Sequence, residues 1–159
     1  MRPVTRTRPE RGLFVVGTLL LAAVVVGWAA ERSQEATGPA VVRLTDIQSG
    51  VTSMNGRPTG VGAVQIATLK LFGSSTRSRP IGSGVLTCMT VSKTQRSCTG
   101  SYVLPRGMIE TSGLLNSRLL YTAAITGGTG LYDNARGTLT VTAKGLKPRR
   151  ELLLFRLSG

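Results

Sequence analysis

The segment Ala124–Val141 (AITGGTGLYDNARGTLTV) restricts the fold more than any other stretch of the chain. An apolar run ends at Ile125, and Gly127, Gly128 and Gly130 crowd the next positions. From Gly137 onward Leu139, Val141 and Ala143 alternate with Thr138, Thr140 and Thr142. A period of two is the mark of a strand with one buried face. Clustered glycines supply the φ > 0 angles that a sharp corner needs. The segment is therefore predicted to be a strand, a tight turn and a strand, with Gly127, Gly128, Gly130 and Gly137 as structural turn residues.

The rest of the chain repeats this pattern. Aromatic residues make up only 4% of the sequence while glycine is abundant, a balance that favours short strands over a helical bundle. Strands are expected at Ala40–Gln48, Val61–Phe72, Ile81–Val91, Arg96–Leu104, Met108–Leu115, Arg118–Ile125, Gly137–Lys144 and Glu151–Leu157, with loops at Ser49–Gly60 and Gly73–Pro80. The near-continuous apolarity of Glu151–Leu157 (ELLLFRL) suits a strand covered on both faces. At 159 residues one domain with its own core is expected. Eight antiparallel strands joined by short turns can close on themselves, which removes exposed edges and leaves an interior that holds a small ligand or is filled by side chains.

The GGTG corner, with Tyr132 two residues on and the triplet Ala135-Arg136-Gly137, resembles the signature of the allene oxide cyclase barrel and of the related dirigent proteins. The likeness spans roughly Pro80 to Leu157. It implies an eight-stranded antiparallel closed β-barrel, an isomerase or cyclase activity on a reactive hydrophobic intermediate, and, by analogy, a trimer.

Ahead of the barrel, residues 1–12 are arginine-rich and Leu13–Ala30 carries no charge. A helix of that length spans about 27 Å, just short of a hydrocarbon core of ~30 Å. The run is long for a signal peptide, yet Gly27-Trp28-Ala29 offers the small residues a signal peptidase reads. Residues 1–30 are thus a signal peptide or an N-terminal membrane anchor, and 31–39 a polar linker. Residues 40–159 form the barrel, expected outside the cytoplasm.

The formal charge is +13, from 20 basic and 7 acidic residues. The bases are scattered, with no run beyond Arg149-Arg150 and no aromatic platform beside them, so specific nucleic-acid binding is not expected. The glycine corner lacks the lysine and following helix of a phosphate loop. Two cysteines and no histidine weigh against a metal site, and no cofactor fingerprint appears.

Cys88 and Cys98 flank the Ser92–Gln95 turn. A hairpin centred on Lys93 sets them directly opposite each other, which permits a disulfide. The resemblance supplies another reading, because plant allene oxide cyclases carry a lumenal cysteine near the position of Cys88. Asp46 is the only acid in the first strand. It is either a capping or surface aspartate or, by resemblance, near the glutamate that steers the epoxide. Tyr102 shares a face with Cys98 and Leu104 and is either core packing or a ligand contact. Glu110, Asp133 and Glu151 are scattered along the chain and suggest no acid–base pair. Two functions follow: an exported barrel that binds a hydrophobic small molecule without catalysis, or a cyclase or dirigent-like enzyme.

Overall fold

The computed structural model describes residues 39–54, 59–73, 79–116, 119–146 and 149–158. The arginine-rich start, the apolar run expected as a helix and nearly all of the linker lie outside them.

Eight strands are present among the described residues: β1 (Val41–Ser53), β2 (Val64–Phe72), β3 (Gly82–Thr90), β4 (Arg96–Leu104), β5 (Gly107–Leu115), β6 (Leu120–Gly130), β7 (Arg136–Leu146) and β8 (Arg149–Ser158). Each pairs antiparallel with its neighbours in sequence, and β1 pairs with β8, so the sheet closes. The expected all-β closed barrel is the observed fold.

The two largest departures from the expected boundaries have one cause, a bulge that lets a strand outlast its glycine. β1 continues to Ser53 through the segment expected as a loop, since its register against β2 shifts between Gln48 and Gly50 and pairing then resumes. Ser49 Oγ donates to Thr68 O at 3.1 Å across that shift. β6 likewise runs to Gly130. Gly127 and Gly128 lie in the strand, opposite Glu110 and Ile109, past a shift between Glu110 and Thr111. The turn itself falls at residues 131–135, where Tyr132 N donates to Thr129 O at 3.2 Å and Ala135 N to Tyr132 O at 3.0 Å. Asn134 takes φ 58 there, a left-handed angle that asparagine tolerates, and its N–H donates to Asp133 Oδ1 at 3.0 Å.

The interior is packed at one end only. Leu44, Leu71, Leu104, Ile109, Ile125, Leu139 and Phe155 fill the end where β1 begins, and Tyr132 and Ala135 of the glycine-rich turn join the same buried cluster. Tyr102 meets Phe155 edge to face, with ring centroids 5.1 Å apart. The Tyr102 ring occupies space left by two glycines: a Cβ on Gly84 would sit 3.3 Å from its Cδ1, and one on Gly100 would sit 2.9 Å from its Cε2 and 2.8 Å from Thr111 Oγ1. Gly100→Ala is therefore expected to destabilise the barrel by about 1–3 kcal/mol through overpacking, read as a lower melting temperature. An unchanged melt would show that the ring moves aside freely.

On β8 Glu151, Leu153 and Phe155 point inward and are buried, while Leu152 and Leu154 are half-buried on the outer wall. The last strand thus alternates, against the expectation of cover on both faces.

Candidate functional site in the half-open lumen

The end of the barrel opposite the packed one encloses a cavity of about 240 Å³. Ala67, Leu69 and Leu86 give it an apolar wall, and Asp46, Tyr121, Arg149 and Glu151 a polar one. The lumen is therefore filled in one half and open in the other.

Ring closure creates the polar wall. Asp46 on β1 and Glu151 on β8 are direct cross-strand partners, so period-two alternation sends both side chains inward. Asp46 is 1% exposed and Glu151 5%. This corrects the capping or surface reading of Asp46, and it corrects the reading of the acids as scattered. Asp46 Oδ1 accepts from Glu151 N at 2.9 Å, whereas Oδ2, also buried, has no hydrogen-bond partner. Glu151 is engaged on both oxygens. Oε1 accepts from Arg149 Nε at 2.7 Å and from Arg149 Nη2, and Oε2 accepts from the Tyr121 hydroxyl at 3.3 Å.

Burial, and after it the Glu151 charge, raise the Asp46 carboxyl from 3.8 to about 7, against the opposing pull of the Glu151 N–H and Arg149. Near neutrality Asp46 therefore holds a proton in part of the population. Burial also raises Tyr121 and Tyr102, so both remain phenolic donors. What results is a compact set: a carboxylic acid with one unengaged oxygen, a carboxylate held by a guanidinium and a phenol, and an apolar wall facing them.

Tyr102, expected as packing or as a ligand contact, lies in the filled half, 1% exposed, and is not among the cavity-lining residues. Cys88 and Cys98 form a disulfide with a Cα–Cα distance of 4.1 Å, and Cys88 borders the cavity. The lumenal position expected of a reactive thiol is thus held by a half-cystine. Reduction, or the Cys88→Ser/Cys98→Ser pair, should lower unfolding free energy by about 2–3 kcal/mol in urea titrations. Equal curves with and without reductant would contradict it. The sequence alone did not bring Glu151, Arg149 and Tyr121 together with Asp46. Their signal was parity: Asp46 shares a face with Leu44, and Glu151 with Leu153 and Phe155. Among the described residues no group of three or more His, Cys, Asp or Glu side chains is placed to hold a metal.

No protein-family model matches the sequence, and no curated protein does either. Solved structures do. A pyocyanin demethylase is 26% identical with a TM-score of 0.59, over 71% of this chain and 97% of that one. A pterocarpan synthase dirigent protein is 14% identical with a TM-score of 0.58, over 74% of this chain and 84% of that one. The Diels–Alderase AbmU from Streptomyces koyangensis is 14% identical with a TM-score of 0.54, over 97% and 85%. These likenesses reach the barrel that dirigent proteins and cyclases have in common and stop short of allene oxide cyclase in particular. The chain folds as a dirigent-like barrel.

Proposed function

We propose that the barrel takes a hydrophobic small molecule into its open half and that Asp46 protonates it or hydrogen-bonds to it, steering an isomerisation or cyclisation. The buried pair of Asp46 and Glu151 carries this reading. A purely structural interior has no use for two carboxyls on one wall, since each must be desolvated. A carboxyl near 7 can both give and recover a proton at neutral pH, so Asp46 can protonate a ligand oxygen and, as the carboxylate that results, take the proton that leaves carbon, which returns the acid and keeps an isomerisation balanced. The apolar wall selects a compact conformer and excludes water. Binding without turnover, the simpler reading, leaves the acid pair without a task.

The test uses N-phenyl-1-naphthylamine, a neutral apolar fluorophore, with the full chain. Saturable binding to the native protein and its loss in Ala67→Phe, which fills the cavity from β2, are expected. Binding that ignores Ala67→Phe would end the lumen reading. A second reading, demethylation of an aromatic heterocycle, is favoured by the identity to the pyocyanin demethylase over nearly all of that protein. Pyocyanin incubated with the chain and analysed for a demethylated product by mass spectrometry distinguishes the two.

The barrel is also proposed to work outside the cytoplasm, carried there by the apolar run Leu13–Ala30, and to assemble as an oligomer. Trp28 is the only tryptophan, so a barrel released by cleavage after that run should show no tryptophan fluorescence, and an anchored one should retain it.

A further inference from the structure

A second hollow, of about 480 Å³, adjoins the lumen at its open end, and Gln65 and Arg96 line both. Its chemistry is the reverse of the lumen floor. Among the described residues the charged ones that line it are Lys93 and Arg96, and the remainder of its polar lining consists of hydroxyls and amides, among them Ser92, Gln95 and Asn116. Both carboxyls of the lumen lie deeper, so a molecule reaching from floor to rim passes from acid to base.

The walls of this groove are held in place. Ser92 Oγ accepts from Thr94 N at 3.3 Å and Gln95 N at 3.1 Å, and Val91 N donates to Gln95 O at 3.0 Å, which fixes the turn carrying Lys93. Gly62 N donates to Thr90 O at 2.8 Å and Thr90 N to Ala63 O at 2.9 Å, tying the opposite wall to the end of β3. Directly below the turn, the Cys88–Cys98 bridge clamps the two strands that bear it. A fixed groove lined, among the described residues, by two cations and many uncharged donors and by no carboxylate suits an anion.

We infer that this rim groove is a subsite for an acidic group, carboxylate, sulfonate or phosphate, borne by the same ligand whose apolar body occupies the lumen. The inference rests on the lumen reading above for the body of the ligand and adds its substrate class: an amphipathic acid, entering apolar end first. The lumen chooses the ring system, and the rim chooses the charge.

A matched pair of probes tests it with the full chain, disulfide intact. N-phenyl-1-naphthylamine and 8-anilinonaphthalene-1-sulfonate have the same ring system and differ by one sulfonate. Lys93→Gln/Arg96→Gln is expected to weaken the sulfonate probe about ten-fold, as for the loss of charge-assisted contacts, and the neutral probe several-fold less, while Lys93→Gln, which lines the rim groove and not the lumen, leaves the neutral probe within about two-fold. Arg43→Gln/Lys70→Gln removes the same charge from exposed outer-wall positions and should leave both probes within about two-fold. Lys93→Gln alone, on an exposed turn, should give part of the rim effect even if Arg96 proves needed for folding. Equal weakening by the rim and outer-wall pairs, or none by the rim pair, overturns the inference while the lumen reading stands on the neutral probe. A rim effect that survives Ala67→Phe also overturns it, since the groove would then bind anions by itself. Neutral-probe binding that ignores Ala67→Phe removes the lumen reading, and with it the two-part ligand.

Discussion

Asp46→Asn is expected to abolish a pH dependence of stability that the native barrel shows between pH 5 and pH 8. The folded carboxyl titrates near 7 and the unfolded one near 3.8. Between those values the folded state binds a proton that the unfolded chain has released, so stability is greatest at low pH and falls as pH rises towards 7. One pKa step is worth about 1.4 kcal/mol. The native protein should therefore lose about 2–3 kcal/mol from pH 5 to pH 8, a melting-temperature drop on the order of 10 °C for a domain of this size. Asparagine can still accept the Glu151 N–H through its side-chain oxygen. The variant should melt at nearly one temperature across that interval and exceed the native protein at pH 8. Parallel pH profiles for the two proteins would refute a proton on Asp46, and with it the proposed donor.

The second large effect belongs to Gly137, and a neighbouring glycine supplies its control. Gly137 has φ +132 and pairs with Ile125 on one side and Leu157 on the other. A Cβ there would fall 2.0 Å from the Arg156 carbonyl oxygen, a backbone atom that cannot swing aside. Gly137→Ala thus combines a backbone angle closed to alanine with a collision between strands, and a loss of about 3–5 kcal/mol is expected. Gly127→Ala should be close to neutral, because the nearest atom to its Cβ would be Arg136 Nη1 at 3.9 Å. Chemical denaturation of both variants checks the contrast, and similar losses at the two sites would show that the turn tolerates no side chain anywhere.

The contrast also marks what the sequence made legible. Glycines advertise that close approaches occur, and they do not say which of them is the tight one. The segment expected as a corner is mostly strand: Gly127 and Gly128 remain paired to β5, and the chain reverses at Leu131–Ala135. Period two sets Leu44 with Asp46, and Leu69 with Leu71, on one face of their strands, and burial shows that both faces turn inward. The Cys88–Cys98 pairing was equally readable, because ten residues and one turn separate the two. Local spacing is sufficient for such contacts.

The acid pair was hidden for the opposite reason. Asp46 and Glu151 stand 105 residues apart, and only the closure of the first strand onto the last makes them neighbours. Each strand read alone offered one acid and no partner. The division of the interior into filled and open halves was likewise out of reach. It depends on the Tyr102 ring lying over Gly84 and Gly100 while Ala67, two strands from Gly100, leaves room in the cavity wall, a matter of three-dimensional fit that no periodicity records.

Packing at one end makes the chamber a cul-de-sac. Under the proposed activity a guest and its product would leave by the open mouth that admitted the guest, so a transformation that lengthens or stiffens it would jam the exit. Chemistry that folds a floppy chain into a smaller ring would suit such an architecture, because its product would shrink as it formed and back out more easily than its precursor went in.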